Sequence, residues 1–168
     1  MSCRLFIAVF FTGLLHAIAD ASGAPAMPFS DGSWHGDIET GPDSSNFEEC
    51  WASTTFEDGT TFTLAKLRDG SWDLRLSNSS WRLPHPHRYT VEALVDFYPR
   101  VRVAAEVKNP TVLEIVDLDH ISLLALIENG HTIELASDGF NDKYELEGSA
   151  KVIGRIRSCF ADQVLAAK

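Results

Sequence analysis

The sequence predicts a mainly β domain, an antiparallel β-sandwich or open barrel of about eight strands, with two short helices of which the second is C-terminal. Three observations carry this reading. From Phe47 onward, short runs rich in Thr, Val, Phe, Trp and Tyr are broken by turn signals about every eight to twelve residues. Within several of these runs apolar and polar residues alternate with period two, as in a strand with one face covered and one face wet. The period changes to a helical one in only two places, after Asp119 and after Gly148.

Taken in order, the first run is Cys50 to Phe56, followed by Glu57-Asp58-Gly59-Thr60. The Asp-Gly pair suits a type I′ hairpin turn, because Gly accepts positive φ at little cost. The second arm, Thr61 to Leu67, sets Phe62 and Leu64 against Thr61, Thr63 and Ala65, and Asp69-Gly70 turns the chain again. In the third strand Trp72, Leu74 and Leu76 share one face, so Asp73, Arg75 and Ser77 are expected on the water side. Asn78-Ser79-Ser80 reads as a turn, Trp81-Arg82-Leu83 as a brief strand, and Pro84-His85-Pro86-His87 as a rigid connection lacking two backbone donors. Tyr89 to Asp96, Val101 to Val107 and Thr111 to Val116 are three further strands, the last two separated by Asn109-Pro110.

Asp119 is placed to cap a short helix in which Ile121, Leu124, Ala125 and Glu128 follow helical spacing, and Gly130 stands where a C′ glycine would end it. His131 to Ala136 and Lys143 to Glu147 read as a strand pair. Ser149 is the expected cap of the last helix, whose apolar stripe is Val152, Ile153, Ile156 and Phe160.

Ahead of the domain, Arg4 precedes an apolar run, Leu5 to Leu15, and then small residues around Ala19-Asp20-Ala21. A basic start, an apolar core shorter than the ~20 residues of a spanning helix, and an A-x-A site are the features of a secretory signal peptide. The expected division is therefore a signal peptide at 1–21, a flexible lead-in at 22–46 and a single β-rich domain at 47–168. In the lead-in Phe29, Trp34 and Ile38 are scattered among Gly, Pro, Ser and Asp. Signal removal takes Cys3 away and leaves Cys50 and Cys159 in an oxidising compartment. They are expected to form a disulfide joining the first strand to the last helix, worth roughly 4 to 5 kcal/mol on the chain-entropy account. The expected location is the periplasm or the exterior, with no membrane span after cleavage.

The chain of 168 residues carries 14 Lys and Arg against 24 Asp and Glu, for a net charge of -10. This disfavours phosphate backbones and anionic lipid, so nucleic acid is not an expected partner. With 45% hydrophobic and 23% charged residues, the composition is that of a folded protein.

Several stretches carry a resemblance. They are an Asp-Gly hairpin after a Cys, the Val95-Asp96 pair ending a strand, Leu123-Leu124 through Ile127-Glu128-Asn129-Gly130 before a strand, and Tyr144-Glu145-Leu146-Glu147-Gly148-Ser149-Ala150. Together these resemble the small exported β-rich proteins of Gram-negative bacteria grouped as the invasion-associated locus B family. In that family a helix ending in Gly is followed by a strand pair and a Leu-x-Gly helix entry. The likeness spans residues 47–160. It implies a periplasmic or secreted, non-enzymatic protein linked to host association, with no catalytic residues to carry over.

Residues suited to chemistry are few. Ser149 lacks the second glycine of a nucleophile elbow and reads as a helix cap. His85 and His87 form an H-x-H pair, and neutral imidazole ligates copper, nickel or zinc; adventitious surface histidines are the plainer account. His120 and His131 flank the first helix and read as structural. Glu48 with Glu49, and Asp117 with Asp119, are candidate acid/base or calcium-binding pairs, or else solvated edge charges. Among the four tryptophans, Trp72 reads as core, whereas Trp34, in the lead-in, is a candidate binding residue because an exposed indole outside the domain has no core to fill. The functional expectation is a non-enzymatic envelope or host-association binding module, with no cofactor, steered by its acidity toward a basic protein partner. The alternative is a carboxylate-dependent hydrolase or a carrier of metal on His85 and His87.

Overall fold

A computed structural model describes residues 27–41, 46–120, 122–138 and 140–166. The expected signal peptide lies outside them. The strands are β1 (Phe29–Asp31), β2 (Trp34–Thr40), β3 (Phe47–Thr55), β4 (Thr61–Leu67), β5 (Trp72–Ser77), β6 (Arg88–Val95), β7 (Val101–Asn109), β8 (Val112–Ile115), β9 (Thr132–Ser137) and β10 (Phe140–Glu145). Helix α1 (Leu123–Asn129) precedes β9, and α2 (Ser149–Ala166) is the last of the described elements. All ten strands belong to one antiparallel sheet in the order β1-β2-β3-β4-β5-β8-β7-β6-β9-β10, with β1 and β10 as its edges. The fold is thus mainly β, as the sequence predicts, with ten strands among the described residues in place of about eight.

The sheet curls until strands far apart in its order touch. Phe62 of β4 meets Tyr144 of β10 with ring centroids 5.9 Å apart, and Phe56 meets Tyr144 at 4.9 Å. Period-two alternation fills the concave face with Phe62, Leu64, Leu74, Leu76, Leu113, Ile115, Ile133 and Leu135, all essentially inaccessible. Leu123 and Ile127 of α1 and Val152, Ile153 and Ile156 of α2 complete this core. The result is an open barrel. Its seam is spanned by the approach to α2: Trp34 Nε1–H donates to the Glu147 carbonyl at 2.8 Å, and Asp31 of β1 pairs with Lys151.

The lead-in is where the sequence reading is corrected most. Residues 29–40 are two strands, not a flexible segment, and they form the first edge of the sheet. Trp34, Gly36 and Ile38 face inward against outward His35, Asp37 and Glu39, but Gly36 hides the alternation by contributing no side chain. The glycine is required there, since a Cβ would lie 2.4 Å from the Phe29 ring. The brief strand expected at Trp81 to Leu83 is absent. Asn78 Oδ1 instead accepts from the Ser80 N–H at 2.9 Å, and the Trp81 N–H donates to the Asn78 carbonyl, which holds a turn.

The Asp-Gly hairpins form, but not as type I′ turns. Within each turn only the glycine, Gly59 (φ 82) or Gly70 (φ 92), is left-handed, and the Gly59 N–H reaches back to the Phe56 carbonyl at 3.0 Å. This is a type I turn closed by a glycine bulge. The reason lies in the aspartates, whose carboxylates accept the backbone N–H of Thr60 and of Ser71, each at 2.9 Å. Both expected helix caps are also replaced. Helix α1 begins behind Ser122 (φ 61) rather than at Asp119, and the Ser149 hydroxyl donates to the Ile127 carbonyl at 2.8 Å, tying α2 to α1. Gly130 is extended (φ -91), and its small size rather than left-handed freedom is what matters: a Cβ would lie 2.3 Å from a Val95 methyl.

Candidate functional site

The convex face of the sheet, expected to meet water, carries a packed charge network. Arg75 of β5 is directly opposite Glu114 of β8, and its Nε–H donates to that carboxylate at 3.0 Å. The two terminal guanidinium nitrogens close a two-point pair with Glu49 of β3. Lys108 adds a second cation to Glu114 at 2.7 Å. These long side chains cover one another, so Glu49, Asp73 and Glu114 retain only 7%, 4% and 5% of their exposure. The two carboxylates hold the Arg75 proton more firmly than usual.

Asp73 sits beside this network and, among the described residues, has no cation of its own. Burial, then the Glu114 charge, pushes its carboxyl up to about 6, against which Arg75 and the Asp117 N–H act in part. Because the folded value lies above the unfolded one, the folded state binds the extra proton, and stability falls as pH rises from about 4 to about 6 and is flat beyond. Replacing Asp73 with Asn is expected to remove this slope and to stabilise the protein near neutrality by about 2 kcal/mol. Denaturant unfolding at pH 4.5 and pH 7.5 checks both; an unchanged slope in Asp73→Asn would refute the assignment.

The predicted site residues are distributed as follows. Trp34 is buried, edge-on to Phe62 at 6.2 Å, and belongs to the core; it is not an exposed binding residue, because β2 draws it into the sheet. His85 and His87 are exposed on the connection before β6, on either side of a cis His85–Pro86 bond, and His87 packs edge-on to Tyr89 at 4.5 Å. Among the described residues no group of three or more His, Cys, Asp or Glu side chains is placed to hold a metal ion. Glu48 and Glu49 are consecutive in β3 and so point to opposite faces, Glu49 toward Arg75. Asp117, like Asp119, is exposed. Cys50 and Cys159 are joined in a disulfide, with Cα atoms 6.2 Å apart.

Two further features stand out, and neither was singled out by the sequence. The first is the tip of the β6–β7 hairpin, where Phe97 is fully exposed and Tyr98 half-exposed. The tip is pinned from below. Asp96 (φ 47) accepts the backbone N–H groups of His131 and Thr132 at 3.0 and 2.9 Å, and these bonds hold its carboxyl below the usual carboxylate range. The Tyr98 N–H closes the turn onto the Val95 carbonyl at 2.9 Å. The tip therefore presents its aromatics on a fixed base, flanked by Asn129, His131 and Lys143.

The second is a cleft of about 290 Å³, walled by Trp81, Leu83, Tyr89, Phe140 and Tyr144 and edged by Arg82, Asp138 and Asp142. It lies where β5 and β8 meet the turns that lead into β6 and β10, with Leu76 and Leu113 lining it.

No protein family matches the sequence, and no curated protein matches it. No helix among the described residues is long and apolar enough to cross a membrane. Among solved structures, the crystal structure of invasion associated protein B from Bartonella henselae is similar to this chain with a TM-score of 0.55 at 16% sequence identity, covering 79% of this chain and 97% of that one. The resemblance carried by residues 47–160 is thus met in three dimensions: the chain has the fold of that invasion-associated protein.

Proposed function

We propose that the protein is an exported, non-enzymatic binding module of the cell envelope or of host association, and that the β6–β7 tip is its contact point. The observation that carries this reading is the fully exposed Phe97 beside Tyr98 on a turn fixed by Asp96. A bulky aromatic held in water by a rigid turn contributes nothing to the core, whereas rigid aromatics supply contact area at low entropic cost and dominate interfaces. The fold likeness to an invasion-associated protein supports the role, and the Cys50–Cys159 bridge supports an oxidising compartment. A net charge of -10 favours a basic partner, met faster at low salt.

The test is site-specific crosslinking in the intact envelope. A photoreactive residue at position 97 is expected to capture a discrete partner that the same residue at exposed position 164 does not. Phe97→Ser is expected to lower recovery of that partner at least about tenfold while shifting the unfolding free energy by no more than about 0.5 kcal/mol. Equal capture from both positions would sink the tip assignment. Recovery of the chain uncleaved inside the cell would sink export.

A further inference from the structure

We infer that the cleft between the end of β5 and the start of β10 is a second binding site, built for the cationic side chain of a basic protein, a lysine above all. The inference is independent of the β6–β7 tip. Its walls are aromatic: Trp81, Tyr89, Phe140 and Tyr144 turn toward the same space, with Tyr89 and Phe140 edge-on at 6.5 Å. Aromatic faces attract a cation through their quadrupole, most strongly where water is thinned out. Aspartates 138 and 142 stand at the rim, so an ammonium group passing the rings meets carboxylates.

A third carboxylate adds to the field. Asp58 lies near the Tyr144 hydroxyl, and its side chain is fixed by the Thr60 N–H at 2.9 Å and the Thr60 hydroxyl at 2.8 Å. Among the described residues the one cation lining the cleft is Arg82, whose Nη1 donates to the Ser79 and Trp81 carbonyls at 2.9 and 2.5 Å and so is held against its own turn. At about 290 Å³ the space is at the small end of ligand pockets, suited to one side chain rather than to a cofactor. The acidity of the whole chain brings basic partners to it.

The experiment is an NMR titration of the mature chain with N-acetyl-lysine methylamide, set against its Nε-acetylated form and against N-acetyl-norleucine methylamide, which keeps the stem and removes the charge. Saturable shifts at the Trp81 indole N–H and at the amides of residues 140–144 are expected with the lysine probe. Both uncharged probes are expected to bind at least about fivefold more weakly, the factor that about 1 kcal/mol of cation–π and ion-pair energy gives. Asp142→Asn is expected to weaken the lysine probe by a similar factor, with the remainder of the spectrum unchanged, and Arg82→Gln to strengthen it. Norleucine binding as tightly as lysine would make the cleft a plain apolar pocket and overturn the inference. So would an absence of shifts with the lysine probe, or an Asp142→Asn variant that binds it as well as the parent does.

Discussion

Replacing Arg75 with Met is expected to lower the unfolding free energy by about 3 to 5 kcal/mol, measured by denaturant unfolding near neutral pH. The loss comes less from the ion pairs themselves than from what remains. Glu49 and Glu114 keep less than a tenth of their exposure, and without the guanidinium, among the described residues, Glu49 has no cation while Glu114 keeps only Lys108. A buried carboxylate stripped of its partner must be protonated or re-exposed, and either route opens the convex face. A companion variant separates this account from simple loss of packing: Arg75→Met combined with Glu49→Leu and Glu114→Leu is expected to recover most of the stability, since a well-packed apolar trio carries no unpaired charge. If the triple variant is as unstable as Arg75→Met alone, the carboxylates are not the cause.

Removing the Cys50–Cys159 bridge is expected to cost a similar amount, about 4 to 5 kcal/mol on the chain-entropy account, or a fall of about 10 to 20 °C in Tm. The large figure follows from a sequence separation of 109, so that the unfolded chain gains the freedom of one very long loop. Cys50→Ala with Cys159→Ala, compared with the oxidised parent by calorimetry, checks it. A fall of under about 1 kcal/mol would mean that α2 is held to β3 by its apolar stripe alone. Trp72, Lys66 and Phe160 are stacked in the same region, Lys66 Nζ lying 5.1 Å from the Trp72 ring centre and 4.7 Å from that of Phe160, so the helix has packing of its own.

How much of this was legible in the sequence depended on whether the signal was local. Strands such as Trp72–Ser77 declare themselves because six consecutive residues alternate, and the hairpin turns because Asp-Gly is a short-range instruction. Strand β2 failed the same test by one residue, since Gly36 occupies an inward position without a side chain to mark it. Trp34 was misplaced with it. The charge network was out of reach for a different reason. Asp73, Arg75 and Ser77 read as a wet face, which is the correct inference for an isolated strand. The burial of Asp73 and the packing of Arg75 follow only when β5 skips two strands to pair with β8, bringing Glu114 opposite Arg75 from 39 residues away. The tip at Phe97 was of the same kind, because its rigidity comes from Asp96 bonding to residues 131 and 132, on the far side of α1.

The position of the bridge also sets an order of events. A polypeptide is made from its N-terminus, and β1 to β5 pair in sequence order, so the first half of the sheet can assemble as it appears. Cys50 is present from early on, but its partner sits within the last 18-residue helix. An oxidant that arrives early finds no partner for Cys50 in the domain. The covalent lock therefore closes only on a chain complete to its final helix, and a product truncated before Cys159 leaves Cys50 as a free thiol.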